Sequence, residues 1–383
     1  MNCDLSVVAC AGYETAEAER AMRALLEPTG ALDFVREGMT VAVKLNLVSA
    51  MKPDRAATVH PALVCALTKL LRERGARVIL GDSPGGLYTA AALHHVYEVC
   101  GITEAIEYGA ELNQDFSQIQ VSYPEGQLAK SFPYTGWLKN ADAIIDFCKL
   151  KSHGMMGMTC AVKNFFGSIP GTRKPEYHYR YPKAEDFARL LVDLCQYSAP
   201  RLCICDAVIG MEGNGPTQGT PRYLGCLLAS ESAHVLDLAA AELIGLTPEQ
   251  VPTLKAAAEQ GLVPADRTRL KLSGQLEPFR APDFETVPAQ SSVVFLLLGD
   301  GPLGKAADAV AARVLTPFPR LDEALCIGCG KCAGVCPAKA ITMQKQRPRI
   351  DRKRCIHCFC CQEFCPKGAM RPGRHWLARV LGR

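Results

Sequence analysis

Nowhere does this 383-residue chain run about 18 apolar residues together, the length a membrane-crossing helix needs. The longest candidate, Ser291–Leu298, is strand length. The N-terminus, Met1-Asn2-Cys3-Asp4, lacks the basic region and apolar run of a signal peptide. No transmembrane segment is therefore expected, and the expected localisation is cytoplasmic. Two nucleotide signatures are also missing. Gly81-Asp82-Ser83-Pro84-Gly85-Gly86 is not the dinucleotide fingerprint, and no G-x-x-x-x-G-K-[ST] phosphate loop occurs. No recognisable nucleic-acid-binding motif is present, so nucleic acid is not an expected partner. Hydrophobic residues at 48% and charged residues at 21% suit a soluble globular chain with a proper core, and the length suits one large and one small domain.

Cysteine is abundant. Of 19 cysteines, nine lie between Cys326 and Cys365, and the rest are scattered without a repeating interval. In a reducing compartment a dense cluster of this kind points to metal ligation, not to a disulfide scaffold. Cys326, Cys329, Cys332, Cys336 and Pro337 recur 29 residues later as Cys355, Cys358, Cys361, Cys365 and Pro366. Each copy reads C-x2-C-x2-C-x3-C-P. Three thiolates from one tight loop reach three corners of a cubane, and the fourth cysteine of each run ligates the other cluster. Two [4Fe-4S] clusters are thus expected, one on Cys326, Cys329, Cys332 and Cys365, the other on Cys355, Cys358, Cys361 and Cys336. Zinc favours CxxC pairs with a spacer and fits this spacing poorly. Cys360 is an extra thiol within the second run. Over about 50 residues this segment resembles the bacterial two-cluster ferredoxins.

Charge is uneven. Fourteen of the 43 Lys+Arg but only four of the 39 Asp+Glu fall from Arg320 onward. Two oxidised clusters would bring about −2 each, which leaves the module basic. Arg347, Arg349, Arg352, Lys353 and Arg354 form a face that fits an acidic redox partner such as a ferredoxin or flavodoxin, or the protein's own acidic body. The alternative is that these cations only offset cluster charge. Residues 371–383 form a basic tail with Trp376, Leu377, Val380 and Leu381 on one helical face. It reads as a packing helix or as a membrane-surface contact.

The N-terminal part alternates apolar strand-like runs with helical patterns. Strands are predicted over Ser6–Ala11, Met39–Val43, Ala76–Leu80, Ala143–Phe147, Leu202–Ile209 and Tyr223–Ala229. Helices are predicted over Pro61–Arg74, Thr89–Cys100, Ala184–Tyr197 and Ser232–Ile244. Such alternation predicts an α/β fold with an open, largely parallel sheet, plus a small α+β ferredoxin-like two-cluster module at the C-terminus. The expected division is an α/β domain over 1–275, a linker and connecting helix over 276–319 (with a strand at Val293–Leu298 and a helix around Ala306–Leu315), the module over 320–372 and the tail over 373–383.

Polar residues collect at the predicted strand ends, where open α/β sheets bind ligands. Lys44 and Asn46 follow one strand; Asp82 and Ser83 lie on a glycine-rich turn after the next, placed to open a helix. Lys149, Lys151 and His153 follow Ala143–Phe147, Lys163 and Asn164 come shortly after, and His178 follows. Asp206 sits within a strand that leads to Glu212 and Asn214. The number of Lys and His residues suggests a small anionic ligand. Cys203 and Cys205, alternate residues on one strand face, read as core or pocket lining.

The run Lys149-Leu150-Lys151-Ser152-His153, with Thr159, Lys163-Asn164-Phe165-Phe166-Gly167, Glu212-Gly213-Asn214-Gly215-Pro216 and the GDSP turn, resembles the family called domain of unknown function 362. That resemblance covers most of residues 35–300 and implies a shared α/β fold and a shared site. Members frequently end in a ferredoxin module. Threonine is usual where this chain has Ser152, and serine keeps the hydroxyl.

Together these features suggest an iron–sulfur reductase that passes single electrons to a ligand or cofactor held by the large domain. Lys44, Lys149, Lys151 and Lys163 would clamp the anion, and His153 or His178 would supply the proton. An unidentified organic cofactor or flavin is compatible, since a flavin needs no sequence motif. Two other readings stand beside this one: an electron carrier whose large domain only docks, and an iron–sulfur assembly factor.

Overall fold

A computed structural model describes residues 1–264, 266–286 and 318–373. The expected strand at Val293–Leu298, the helix around Ala306–Leu315 and the tail from Arg374 lie outside the described residues.

The strands of the large domain, in chain order, are β1 (Leu5–Ala9), β2 (Thr40–Leu45), β3 (Arg77–Gly81), β4 (Ala110–Leu112), β5 (Gln118–Ser122), β6 (Ser131–Thr135), β7 (Ala143–His153), β8 (Gly157–Thr159), β9 (Leu202–Glu212), β10 (Thr220–Ser230) and β11 (Leu272–Ser273). One sheet has the order β11-β1-β10-β9-β7-β2-β3-β4, and β8 folds back on β7. The block β9-β7-β2-β3-β4 is parallel, whereas β10 runs antiparallel to both β9 and β1. The chain proceeds outward from β2 to β4, then returns to the other side of β2 to lay down β7 and β9. That reversal opens a crevice beyond the carboxyl ends of β2 and β7.

Alternation along the strands feeds two cores. Val41 and Val43 of β2 and Ile145 and Phe147 of β7 pack beneath the helices Thr15–Leu26, Pro61–Glu73 and Ala90–Val99. Ala42, Ile144, Cys148 and Leu150 face the opposite core, with Ala184–Ser198, Ala233–Leu243 and Pro252–Glu259. Period-two burial on both faces is what a central parallel strand requires. All eleven residues of β7 are buried. Leu276, Ala281 and Phe284 also pack into this second core.

The predicted strand Ala143–Phe147 is six residues too short, because it continues through Lys149, Lys151 and His153. Those side chains are polar, which hid the strand from a hydrophobicity pattern. The hairpin β5–β6 was not apparent either: its Gln, Ser and Pro residues lower the strand signal. The glycine-rich turn after β3 does not open a helix directly. The next helix starts at Ala90, capped by Thr89, whose hydroxyl accepts from Ala92 N at 3.4 Å.

In the C-terminal module, β12 (Phe318–Leu321) pairs with β15 (Met370–Gly373), and β13 (Ile341–Gln344) pairs with β14 (Arg347–Ile350). The 29-residue repeat recurs in the backbone. Left-handed residues stand at Gly328 and His357, at Gly330 and Phe359, and at Lys339 and Gly368. Glycine adopts this geometry freely, whereas His357, Phe359 and Lys339 bear its cost of about 1–2 kcal/mol.

Because Phe147 is fully buried on the central strand, Phe147→Ala should destabilise the large domain by about 3–5 kcal/mol. Urea unfolding followed by far-UV circular dichroism measures this.

Candidate functional site

The module rests on the crevice at the β2/β7 reversal and closes it into a cleft of about 780 Å³. Of the residues singled out in the sequence, Asn46, Asp82, Lys151, Lys163, Asn164 and His178 line it. Thr159, Phe166 and Lys174 complete the large-domain wall, while Lys331, Cys360, Glu363, Phe364 and Cys365 come from the module.

Lys44 does not reach the ligand space as a free cation. Fully buried, its ammonium donates to Asp82 Oδ1 at 2.7 Å, Leu45 O at 2.7 Å and Asn164 Oδ1 at 3.0 Å. Asp82 in turn accepts from Leu47 N at 2.8 Å and Ser83 N at 2.7 Å. The pair is self-neutralising, and its function is to tie the ends of β2 and β3 together. Gly167 permits this, since a Cβ there would lie 2.2 Å from Asp82 Oδ1 and 2.5 Å from Lys44 Nζ. Asn164 Nδ2 donates to Asp146 Oδ1 at 2.6 Å, and Asn46 Nδ2 donates to Asn164 Oδ1 at 3.1 Å. Asn46 Oδ1 accepts from Lys151 Nζ at 2.6 Å. One hydrogen-bonded chain therefore crosses the floor of the cleft.

Lys149 and Asp206 lie outside the cleft. Lys149 Nζ donates to Asp206 Oδ2 at 2.7 Å and to Tyr13 OH at 2.9 Å, and Tyr13 OH donates to Asp206 Oδ1 at 2.8 Å. Lys149 and Lys151, two positions apart, would share a face of a regular strand; the register shift between them in the β7–β9 pairing turns them to different partners. Ser83 also turns away; its carbonyl accepts from Lys174, and its buried hydroxyl has no hydrogen-bond partner among the described residues. Glu212 accepts from Glu285 N at 3.1 Å. Asn214 belongs to the seam with the module described below.

Among the described residues, the large domain's uncompensated cations in the cleft are Lys151, Lys163 and Lys174, and Lys331 adds one from the module. Lys151 has only neutral acceptors, Asn46 Oδ1 and Ala57 O, each at 2.6 Å. Burial, and then Lys163 and Lys149 nearby, push its pKa down to about 7. Lys174, over the Phe166 ring at 5.4 Å, is lowered by burial to about 8. Burial also lowers Lys163, against the pull of Glu363. Lys174 had no motif to mark it in the sequence.

The two histidines are poor imidazolium donors. His153 Nδ1 accepts from Met155 N at 3.1 Å and Met156 N at 3.2 Å, so Nε2 carries the hydrogen and donates to Glu363 Oε1 at 3.1 Å. Burial holds His153 at about 4 and His178 at about 3. His178 stacks on Phe187 with ring centroids 4.4 Å apart. Both are therefore held in the neutral form near pH 7, and the His153 N–H is already bonded to Glu363.

The cysteines gather in two quartets. Cys326, Cys329, Cys332 and Cys365 line one cavity. Cys358, Cys355 and Cys336, and after them Cys332 of the first group, are the charge neighbours of Cys361. Cys336 Sγ accepts from Ala340 N at 3.3 Å and Cys365 Sγ from Ala369 N at 3.2 Å, equivalent bonds in the two copies. All-thiol donor sets, wrapped by left-handed loop residues and given backbone N–H···S bonds, fit iron–sulfur ligation. Cys360, the extra thiol of the second run, lies in hydrogen-bond contact with Cys358 and also lines the cleft.

Three residues separate Cys361 from Cys365, and all three hold the seam. Gln362 Nε2 donates to Asn214 Oδ1 at 2.5 Å and to Gly215 O at 3.2 Å. Glu363 takes the His153 bond; despite burial, which raises it, the His153 bond and Lys163 hold its pKa at about 2. Phe364 covers Gly85, where a Cβ would lie 2.0 Å from Phe364 Cζ. Thr217 and Gln218 add bonds to Glu363 O and Cys365 O at 3.4 and 3.3 Å. Glu363 escaped notice in the sequence because the cysteine pattern claims its neighbours.

The family model for a domain of unknown function (DUF362) matches residues 41–242, and a 4Fe-4S dicluster domain model matches residues 318–366. The chain belongs to the DUF362 family. As a DUF362 member with a 4Fe-4S domain, it is an iron–sulfur, metal-binding protein. It is similar to a thylakoid-associated protein of Synechocystis, 34% identical over 268 residues, or 68% of this chain and 80% of that one. Among solved structures, the lactate racemase apoprotein of Thermoanaerobacterium thermosaccharolyticum aligns with a TM-score of 0.40 at 10% identity, covering 64% of this chain and 57% of that one. A Thermotoga maritima protein aligns at 0.31 and 11%, covering 55% and 53%. The chain thus spans little more than half of either solved chain. Among the described residues, no helix is long and apolar enough to cross a membrane.

Two substitutions test this geometry. Lys44→Met strands Asp82 without its counter-ion and should cost about 3–5 kcal/mol in chemical denaturation. Gly85→Val should displace Phe364 and open the seam, read as faster proteolysis between the two domains with iron content unchanged.

Proposed function

We propose that this protein is an iron–sulfur reductase in which two [4Fe-4S] clusters relay single electrons to an organic anion in the interdomain cleft. The observation that carries this reading is the position of Cys365: it lines both the first thiol cavity and the cleft. When bound, such clusters supply one electron at a time. The protein's own residues hold the acceptor. Lys151, Lys163 and Lys174 give the cleft positive charge that Glu363 offsets only in part, and the volume is that of an ordinary small-molecule site.

Lys151 is the proton source in this scheme. Its folded pKa of about 7 lies well below the ordinary lysine value, which suits a general acid near neutral pH. An anion in the cleft raises that pKa and so favours the charged, donating form. The donor side is the far edge of the module, where Ile327 and Cys329 are exposed beside Arg347. An acidic one-electron carrier, a ferredoxin or flavodoxin, fits that edge, and its electron-transfer rate should fall as salt rises.

The decisive test is anaerobic purification followed by mass spectrometry of released small molecules. A retained organic anion or flavin, lost in Lys151→Met and Lys163→Ala, supports the reductase. Iron and sulfide alone, with electron transfer untouched by both substitutions, would make the protein a carrier with a docking domain.

Affinity for the anion should also depend on pH. Lys151 is charged below about pH 7 and Lys174 below about 8. Binding therefore weakens as pH rises through this window, by up to about tenfold per unit for each proton required. Calorimetry with sulfate, whose charge is constant there, reads the slope, and Lys151→Met should flatten its lower part.

A further inference from the structure

Beneath the floor of the cleft lies a second group of thiols that neither cysteine run includes. Cys148 of β7 and Cys205 of β9 stand directly opposite each other in the strand register. Cys160 comes from the turn that follows β8. Cys148 Sγ lies 3.4 Å from Cys160 Sγ, Cys160 Sγ lies 3.5 Å from Cys205 Sγ, and all three sulfurs fall within 4.8 Å of one another. Tetrahedral zinc with Zn–S of about 2.3 Å sets sulfurs about 3.8 Å apart. The two Cys160 separations need a few tenths of an ångström to reach that spacing, and the Cys148–Cys205 separation, within 4.8 Å, at most about one ångström.

Sulfur alone would be explained by packing, since free cysteine behaves as a small hydrophobe. Two buried carboxylates argue for more. Asp237, on the helix Ala233–Leu243, caps the following helical turn: its oxygens accept from Ala161 N at 2.7 Å and Val162 N at 3.3 Å. Its side chain also meets the Cys160 thiol, and burial raises its pKa to about 7. Asp146 precedes Cys148 on the same face of β7; its Oδ2 is buried with no hydrogen-bond partner among the described residues. The nearest lysine, Lys44, is already paired with Asp82. Three buried thiols within 4.8 Å of one another and a carboxylate that meets one of them offer a mixed sulfur–oxygen donor set drawn from β7, β9, the turn after β8 and a helix.

We propose that Cys148, Cys160 and Cys205 form a structural zinc site, with Asp237, which meets Cys160 from just outside the trio, swinging in as the oxygen ligand. Binding releases the thiol protons and yields three Zn–S bonds and one Zn–O bond. The site would pin β7, β9 and the turn after β8 into one unit, directly under Lys151 and Thr159. It is independent of the redox role proposed above, since it involves none of the eight module cysteines or cleft cations.

The test uses the full chain, purified anaerobically and supplied with one equivalent of zinc. Elemental analysis should find about one zinc per chain beside the full complement of iron. X-ray absorption at the zinc edge should show three sulfurs near 2.3 Å and one lighter atom. The Cys148→Ala/Cys205→Ala variant should lose the zinc and keep its iron. An absence of zinc in the iron-loaded protein would overturn the proposal. So would a four-sulfur shell, which would place zinc in the module, or zinc retained by the double variant. The absorption spectrum of the unsubstituted protein decides the matter even if that variant fails to fold. A Cys148–Cys160 disulfide found by mass spectrometry after anaerobic isolation would likewise rule the site out.

Discussion

Cluster ligation and domain docking share a segment of chain, and the rest of the site depends on that economy. With Cys361 and Cys365 each proposed as a cluster ligand, the three residues between them have little freedom. Gln362 and Glu363 bond to the large domain, and Phe364 lies over Gly85. Under the proposed ligation, the clusters set the positions of the side chains that close the cleft. A cofactor that orders a short loop orders whatever that loop touches, which links metal content to folding.

The electrostatics follow the same plan. The large domain neutralises Lys44 and Lys149 internally, with Asp82 and Asp206. It leaves Lys151, Lys163 and Lys174 facing the cleft. Among the described residues, Glu363 is the one acid that the module contributes to this wall, and it pairs with His153 before it meets Lys163. Buried cations without counter-ions are held below their ordinary pKa values, and a ligand anion relieves that penalty. Under the proposed function, this is the charge that an organic anion meets and the proton that Lys151 supplies.

Much of the fold was legible from the sequence. Valine, isoleucine and alanine runs separated by amphipathic helices gave the parallel α/β sheet, and the cysteine spacing marked the iron–sulfur domain. Legibility failed where polar residues sit inside strands: β7 continues past Phe147 through Lys149, Lys151 and His153. For the site, chemistry of residue type was readable but pairing was not. Nothing local tells that Lys44 meets Asp82 across two strands, that Lys149 turns to Asp206, or that Lys174 arrives from a separate helix. Burial, which takes His153 and His178 out of the protonated range, is a property of the packed molecule and has no sequence signature.

The central claim, that the iron–sulfur module and the cleft form one unit held by the Cys361–Cys365 segment, is tested most directly by hydrogen exchange. Mass spectrometry would compare the cluster-loaded chain with a Cys355→Ser/Cys361→Ser variant. The account predicts that protection is lost at Asn214–Gln218 and at Met155–Met156, while β2 and β3 remain unchanged. Equal protection of those segments in the two proteins would contradict it.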